Sequence, residues 1–171
     1  MRHTHAYRAG AALLLMLCAA GCAGRGDDKA ATAADPAAPA VERARAYMTA
    51  VLARDWTTAC AMMTADRRAF CHSIHATTEP PEPGGPVIGA VTLDRAPTRA
   101  PALTAHPEGW AVMVSHTVTW PERSTTTSRT ALRMVETGRT WEVEQREDVF
   151  DSDLVHAPDP AVAALSRRGS R

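Results

Sequence analysis

From Trp110 to Trp120 the chain alternates without a slip. Trp110, Val112, Val114, His116, Val118 and Trp120 fall on one side, and Ala111, Met113, Ser115, Thr117 and Thr119 on the other. Successive residues of a strand point to opposite faces, so this stretch reads as a long strand with one face turned to a core. Pro121-Glu122-Arg123 turns the chain, and Thr125 to Glu136 returns. Thr137-Gly138 turns it again into Arg139 to Val149, where Trp141 and Val143 face inward. Three long strands joined by short turns predict a twisted antiparallel meander, with helices covering one face.

Earlier residues follow a different period. Val41, Ala44, Met48, Val51 and Leu52 share one side at three-to-four spacing, which predicts a helix over Val41 to Arg54. Asp55 is suited to cap a second short helix carrying Cys60, Met62 and Met63. A third is expected over Thr64 to Cys71, with Asp66 in its first turn. His72 to Pro86, rich in proline and ending in Gly84-Gly85, reads as a loop. Val87 to Leu93 reads as a strand, and Pro101 demotes Thr98 to Ala105 to an edge strand or a loop. The fold class is therefore α+β: N-terminal helices packed on a curved antiparallel sheet, over residues 41–156.

What precedes residue 41 has the composition of an address. Met1 to Arg8 is short and positive, and Ala9 to Ala20 is apolar around Leu13-Leu14-Leu15-Met16-Leu17. A dozen apolar residues suit the core of a signal peptide and fall short of the roughly 20 that a spanning helix needs. The run ends in Ala19-Ala20-Gly21-Cys22, which resembles the lipobox of bacterial lipoproteins. That resemblance implies removal of residues 1–21, a thioether-linked diacylglycerol on Cys22 and acylation of its amino group, for example by palmitate. The competing reading is ordinary cleavage after Ala20, which would release a free secreted protein. Ala23 to Ala40, rich in Ala, Asp, Gly and Pro, would then be a flexible linker. As a coil it spans roughly 25 Å, confining the domain to the layer next to the cell membrane, outside the cytoplasm. Residues 157–171 read as a C-terminal tail, either one short helix started at Asp159-Pro160 or a frayed end.

The helices-then-sheet order resembles the nuclear-transport-factor-two-like, or ketosteroid-isomerase-like, cone fold. Asp55-Trp56 closes the first helix of that pattern and Gly138-Arg139-Thr140-Trp141-Glu142-Val143 opens its last strand. The resemblance covers about Val41 to Val149 and implies a pocket between helices and concave sheet. Some members of the family use that pocket for catalysis and many for binding or assembly.

Charge and motifs narrow the function classes. The chain carries 19 basic and 19 acidic residues, and loss of Arg2 and Arg8 with the signal peptide leaves 17 against 19. No basic stripe survives, so nucleic acid is not an expected partner. No phosphate-binding glycine loop, nucleophile elbow or metalloprotease helix occurs, and no cofactor is expected.

After cleavage two cysteines remain beside Cys22, namely Cys60 and Cys71, an even pair in an oxidising compartment. A disulfide is the reading; the sharper one, zinc held with His72 and His75, fits the usual ligand spacing poorly. Asp151, Asp153 and His156 carry oxygen and nitrogen donors for a cation, but near a chain end they read as solvated charge. His116 on the apolar side of the best strand would serve as a general base if it lined a pocket. Members that are enzymes place a carboxylate and a tyrosine there, whereas here Tyr47 is the only tyrosine left after cleavage. Trp110, Trp120 and Trp141, with His116, are the residues expected to line a ligand pocket if one exists. The expected partners are the membrane, through the anchor, and an envelope protein or a small hydrophobic ligand.

Overall fold

The computed structural model describes residues 35–75 and 84–167, all within the unit that runs from position 34 onward. Positions 1–34, with the signal peptide, Cys22 and most of the linker, lie outside the described residues, as do 76–83 and 168–171. No helix among the described residues is long and apolar enough to cross a membrane.

Helix α1 spans Ala38–Leu52, so it starts three residues before the expected Val41. Pro39 does not prevent this, because a proline in the first helical turn gives up an N–H that has no partner there anyway. Ala40, Val41, Ala44, Tyr47, Met48 and Val51 are buried along one stripe. Arg54 breaks the helix with φ +56°, and the Asp55 carboxylate accepts the Thr58 N–H at 3.1 Å to start α2, Trp56–Ala61. Helix α3, Ala65–His75, carries Cys71, which forms a disulfide with Cys60 of α2 across a Cα–Cα distance of 5.6 Å.

The sheet has six antiparallel strands: β1 Val87–Ile88, β2 Thr92–Leu93, β3 Thr98–Ala100, β4 Gly109–Thr119, β5 Thr126–Thr137 and β6 Thr140–Asp148. One edge of β4 is shared in succession by β1, β2 and β3, and its other edge by β5, which pairs in turn with β6. The expected strand over Val87 to Leu93 is thus two short pieces, separated at Gly89. At that position a side chain would meet the Thr117 hydroxyl. At the β5–β6 hairpin Gly138 adopts φ +66°, which the tight turn demands and glycine supplies without steric cost.

Both faces of the curled sheet are covered, which corrects the expectation of helices on one face only. Val112 and Val114 of β4, with Leu132, Met134 and Val143, pack under α1. Ala111 and Met113, with Ala131, pack under α5, Pro160–Ser166, through Ala161, Ala164 and Leu165. The folded unit therefore continues past the expected boundary at His156: of the two readings for the tail, the docked helix is the observed one. The Asp159 carboxylate caps α5 by accepting the Val162 N–H at 3.0 Å, and it also accepts the Thr98 hydroxyl of β3. Between them α4, Asp151–His156, is anchored by Arg167, which meets the Asp153 carboxylate at 2.6 Å and lies over the Phe150 ring.

The pairing of β5 with β6 is irregular at one point. Val143 pairs with Met134 and Gln145 with Arg133, so Glu144 is an extra residue in β6 without a partner on β5. Such a bulge bends its strand and re-aims one side chain.

Candidate functional site

Strand β6 ends the sheet, and above the bulge its outer edge is taken by the chain itself. The Val143 N–H donates to the Met62 carbonyl at 3.0 Å, and its carbonyl accepts the Thr64 N–H at 3.1 Å. Beyond that single parallel bridge the edge opens into a groove of about 930 Å³. Consecutive strand residues point to opposite faces, yet Glu144, Gln145, Arg146 and Glu147 all line it. A cavity touched by four residues in a row lies along the strand edge and not on one face.

The α3 wall of the groove is a helical stripe at spacing three and four, Arg67, Phe70 and Ile74, with Phe70 59% and Ile74 52% exposed. The facing wall is the loop between β3 and β4, through Leu103, Ala105 and His106, with Ser166 and Arg167 at one end. Both ends of that loop are held by a buried arginine. The Arg133 guanidinium is fully buried and donates to the carbonyls of Pro101 at 2.7 Å and Pro107 at 3.0 Å, and to Gln145 Oε1 at 3.2 Å. Its Nη2 has no partner among the described residues. Burial pulls the Arg133 pKa below the usual arginine value, and the nearby Glu144 charge opposes that shift.

Because the bulge turns Glu144 toward the edge, its carboxylate meets three elements at once. Oε2 accepts the Thr64 hydroxyl at 2.7 Å, and Oε1 lies 3.0 Å from His106 Nδ1 and 3.5 Å from Arg67 Nε. A carboxylate only accepts, so the His106 hydrogen facing it is on Nδ1. The same argument makes the approach of Arg67 Nη2 to Nδ1, at 3.3 Å, a contact and not a bond. Glu144 thereby ties α3, β6 and the loop together at the floor of the groove.

Arg146 sits on the next rung but one and lines the groove together with Tyr47 of α1. The ion pairs around the groove use Arg67, Arg68 and Arg167, whereas Arg146 appears in none of them among the described residues. Its field is felt by three neighbours. Burial raises the Tyr47 pKa while Arg146 pulls it down; burial lowers those of His75 and His116, and Arg146 lowers both further. His75 lines the groove and stacks face to face on Trp56 with ring centroids 3.5 Å apart.

The residues singled out from sequence are distributed differently from the expectation. Cys60 and Cys71 are joined, so their sulfurs are not open to a metal, and no cluster of three or more metal-ligating side chains occurs among the described residues. His116 is buried on β4 opposite Ser128 and lines neither this groove nor the smaller cavity described below. Trp110 is half-buried against the α1 core with Arg99 stacked on its ring at 4.1 Å. Trp120 falls just past the end of β4 and is 46% exposed, so its inward orientation is corrected: the Pro121 turn takes over before the alternation reaches it. Trp141 alone of the three touches a cavity, the smaller one of about 430 Å³ beside Glu108 and Glu136. Arg67, Phe70, Ile74, His106, Glu144 and Arg146 were missed. The helical stripe of α3 was the one available signal, and it was weakened by its mixed polar composition.

No family model, curated protein or solved structure matches this chain.

Proposed function

We propose that this protein is an extracytoplasmic lipoprotein, held to the cell membrane by lipid on Cys22. Its domain, of the nuclear-transport-factor-two-like cone type, binds a small hydrophobic ligand or an envelope protein. One observation carries the binding reading: exposed Phe70, Ile74 and Leu103 converge on a groove that Tyr47 and Arg146 also line. Clustered exposed apolar side chains mark interaction surfaces, unlike single scattered ones. The family reading is supported by helices followed by a strongly curled antiparallel sheet. The address is supported by the apolar run and the Ala20-Gly21-Cys22 junction.

The groove is tested with anilinonaphthalene sulfonate, an apolar anionic dye. Its fluorescence should rise on the native full chain and fall back in the double variant Phe70→Lys, Ile74→Lys. Equal enhancement in both would remove the groove from the argument. Mass spectrometry of the membrane fraction should find diacylglyceryl on Cys22; a free mature terminus ahead of an unmodified Cys22 would overturn the anchor.

A further inference from the structure

The groove has a backbone side that the binding reading alone does not use. In an antiparallel ladder the main-chain groups of successive residues point alternately to the paired neighbour and away from it. The phase in β6 is fixed at both ends. Val149 donates its N–H to the Arg129 carbonyl at 3.0 Å, while Val143 turns its own N–H and C=O outward to Met62 and Thr64. Counting back from Val149, and allowing for the extra residue at Glu144, the main chain of Arg146 and Asp148 faces the open edge. The Asp148 carbonyl is taken by Arg167. Among the described residues, what remains facing the groove is the Arg146 N–H and C=O and the Asp148 N–H, flanked by an apolar wall and by a guanidinium outside the ion pairs of the region.

An exposed strand edge is a template for another strand, and proteins generally blunt theirs. This one is blunted above by the Met63 bridge and below by Arg167, leaving an opening about four residues long, roughly 13 Å at the usual rise per residue. Residues added in extended form place alternate side chains on opposite walls. One set would meet Phe70, Ile74 and Arg146, the other Leu103 and His106. Glu144 is paired with Arg67 and bonded to Thr64 and His106, and Glu147 accepts the Gln145 amide at 3.3 Å. Arg146 is in none of the ion pairs among the described residues, so an acidic side chain is its natural complement.

Resting on the binding function proposed above, we infer that the groove takes a short extended peptide segment of a partner protein as an added strand on β6. The segment carries apolar side chains toward Phe70 and Ile74 and one acidic side chain toward Arg146. Main-chain bonds hold the segment, and the walls select its sequence.

The test pans a displayed library of random heptapeptides on the immobilised full chain. Selected peptides should combine alternate apolar residues with an acid, and synthetic copies should bind the wild-type protein in solution. Methylating the peptide nitrogens on its strand-pairing side removes only hydrogen-bond donors. That change should weaken binding to the unaltered protein by about tenfold or more. Arg146→Gln should weaken acidic peptides by a similar factor, while leaving copies with asparagine in place of the acid within about twofold. The inference is overturned if no peptide is selected, or if methylation leaves affinity unchanged. It is equally overturned if peptides bind only after residues 76–83 are cut back to a glycine linker, which would make the groove self-occupied. A concentration-dependent dimer in sedimentation that competes with the peptides would instead assign the edge to a second copy. Dye binding that still depends on Phe70 and Ile74 would, in each case, leave the broader binding function standing.

Discussion

Replacing Arg133 by methionine should cost this fold more than any surface substitution, and the reason lies in what stays behind. Methionine fills much of the same space but leaves the carbonyls of Pro101 and Pro107 and Gln145 Oε1 without the donor that reaches them at 2.7, 3.0 and 3.2 Å. A buried acceptor deprived of its partner costs about 1 to 3 kcal/mol. Against this stands relief from burying a cation whose Nη2 is itself without a partner, so the three losses do not simply add. The orphaned acceptors are neutral, so no uncompensated charge remains, and a net loss of about 2 to 4 kcal/mol is the expected range. With a urea slope of about 1.5 kcal/mol/M, the unfolding midpoint should fall by about 1.5 to 2.5 M. Arg133→Lys should lie between the two, because an ammonium keeps the charge but lacks the fork that spans both ends of the loop. Amide exchange in residues 102–106 should speed up before that of the sheet does. A midpoint within about 0.5 M of wild type for Arg133→Met would refute the view that this guanidinium holds the loop.

Other sites give further expected outcomes. His116 and His75 have folded pKa values below the ordinary 6.5. Their contribution to stability is therefore complete above pH 6.5 and is lost as pH falls through their folded values, where the unfolded chain already binds the proton. Urea midpoints should drop between pH 7.5 and 5.5, and His116→Gln should flatten that slope; an unchanged slope would remove His116 as a cause. Gly109→Ala would place a Cβ 2.3 Å from the Met134 carbonyl oxygen, a backbone atom unable to step aside. A loss of about 2 kcal/mol or more is expected in thermal melts, and a neutral result would mean that β4 and β5 separate easily there. Cys60 and Cys71 should resist thiol labelling in the denatured, unreduced protein. Replacing both by alanine should cost about 2 to 3 kcal/mol for a loop of this length, read from urea midpoints.

The parts of this fold that could be read in the sequence are those written in local periodicity. Val112 and Val114 point where the alternation places them, the Asp55 cap sits where a carboxylate is suited to start a helix, and Gly138 occupies the turn that needs its positive φ. The α+β order of helices followed by a curved antiparallel sheet was legible for the same reason. Trp120 shows where a local rule stops: the pattern extends through it, but the chain leaves the sheet for the Pro121 turn. Arg133 shows the converse. An arginine in a strand reads as a solvent-facing residue, yet it is fully buried because a loop from elsewhere in the chain covers it with two carbonyls.

The groove lay beyond sequence reading for a related reason. A bulge is a property of two strands in register, so nothing within Glu142-Val143-Glu144-Gln145 marks Glu144 as the extra residue. Its partners, Thr64, Arg67 and His106, come from segments up to 80 positions away and meet only once the sheet has curled. The α5 helix behaved likewise: seven residues of alanine-rich chain hold little intrinsic helical stability, and the apolar back of β4 and β5 supplies the rest. Residue spacing, then, determined the elements and marked the cysteine pair. Tertiary structure alone decided which face each helix covers, which arginine is buried and where the sheet edge stays open. Those depend on contacts between distant segments, which no short stretch of chain contains.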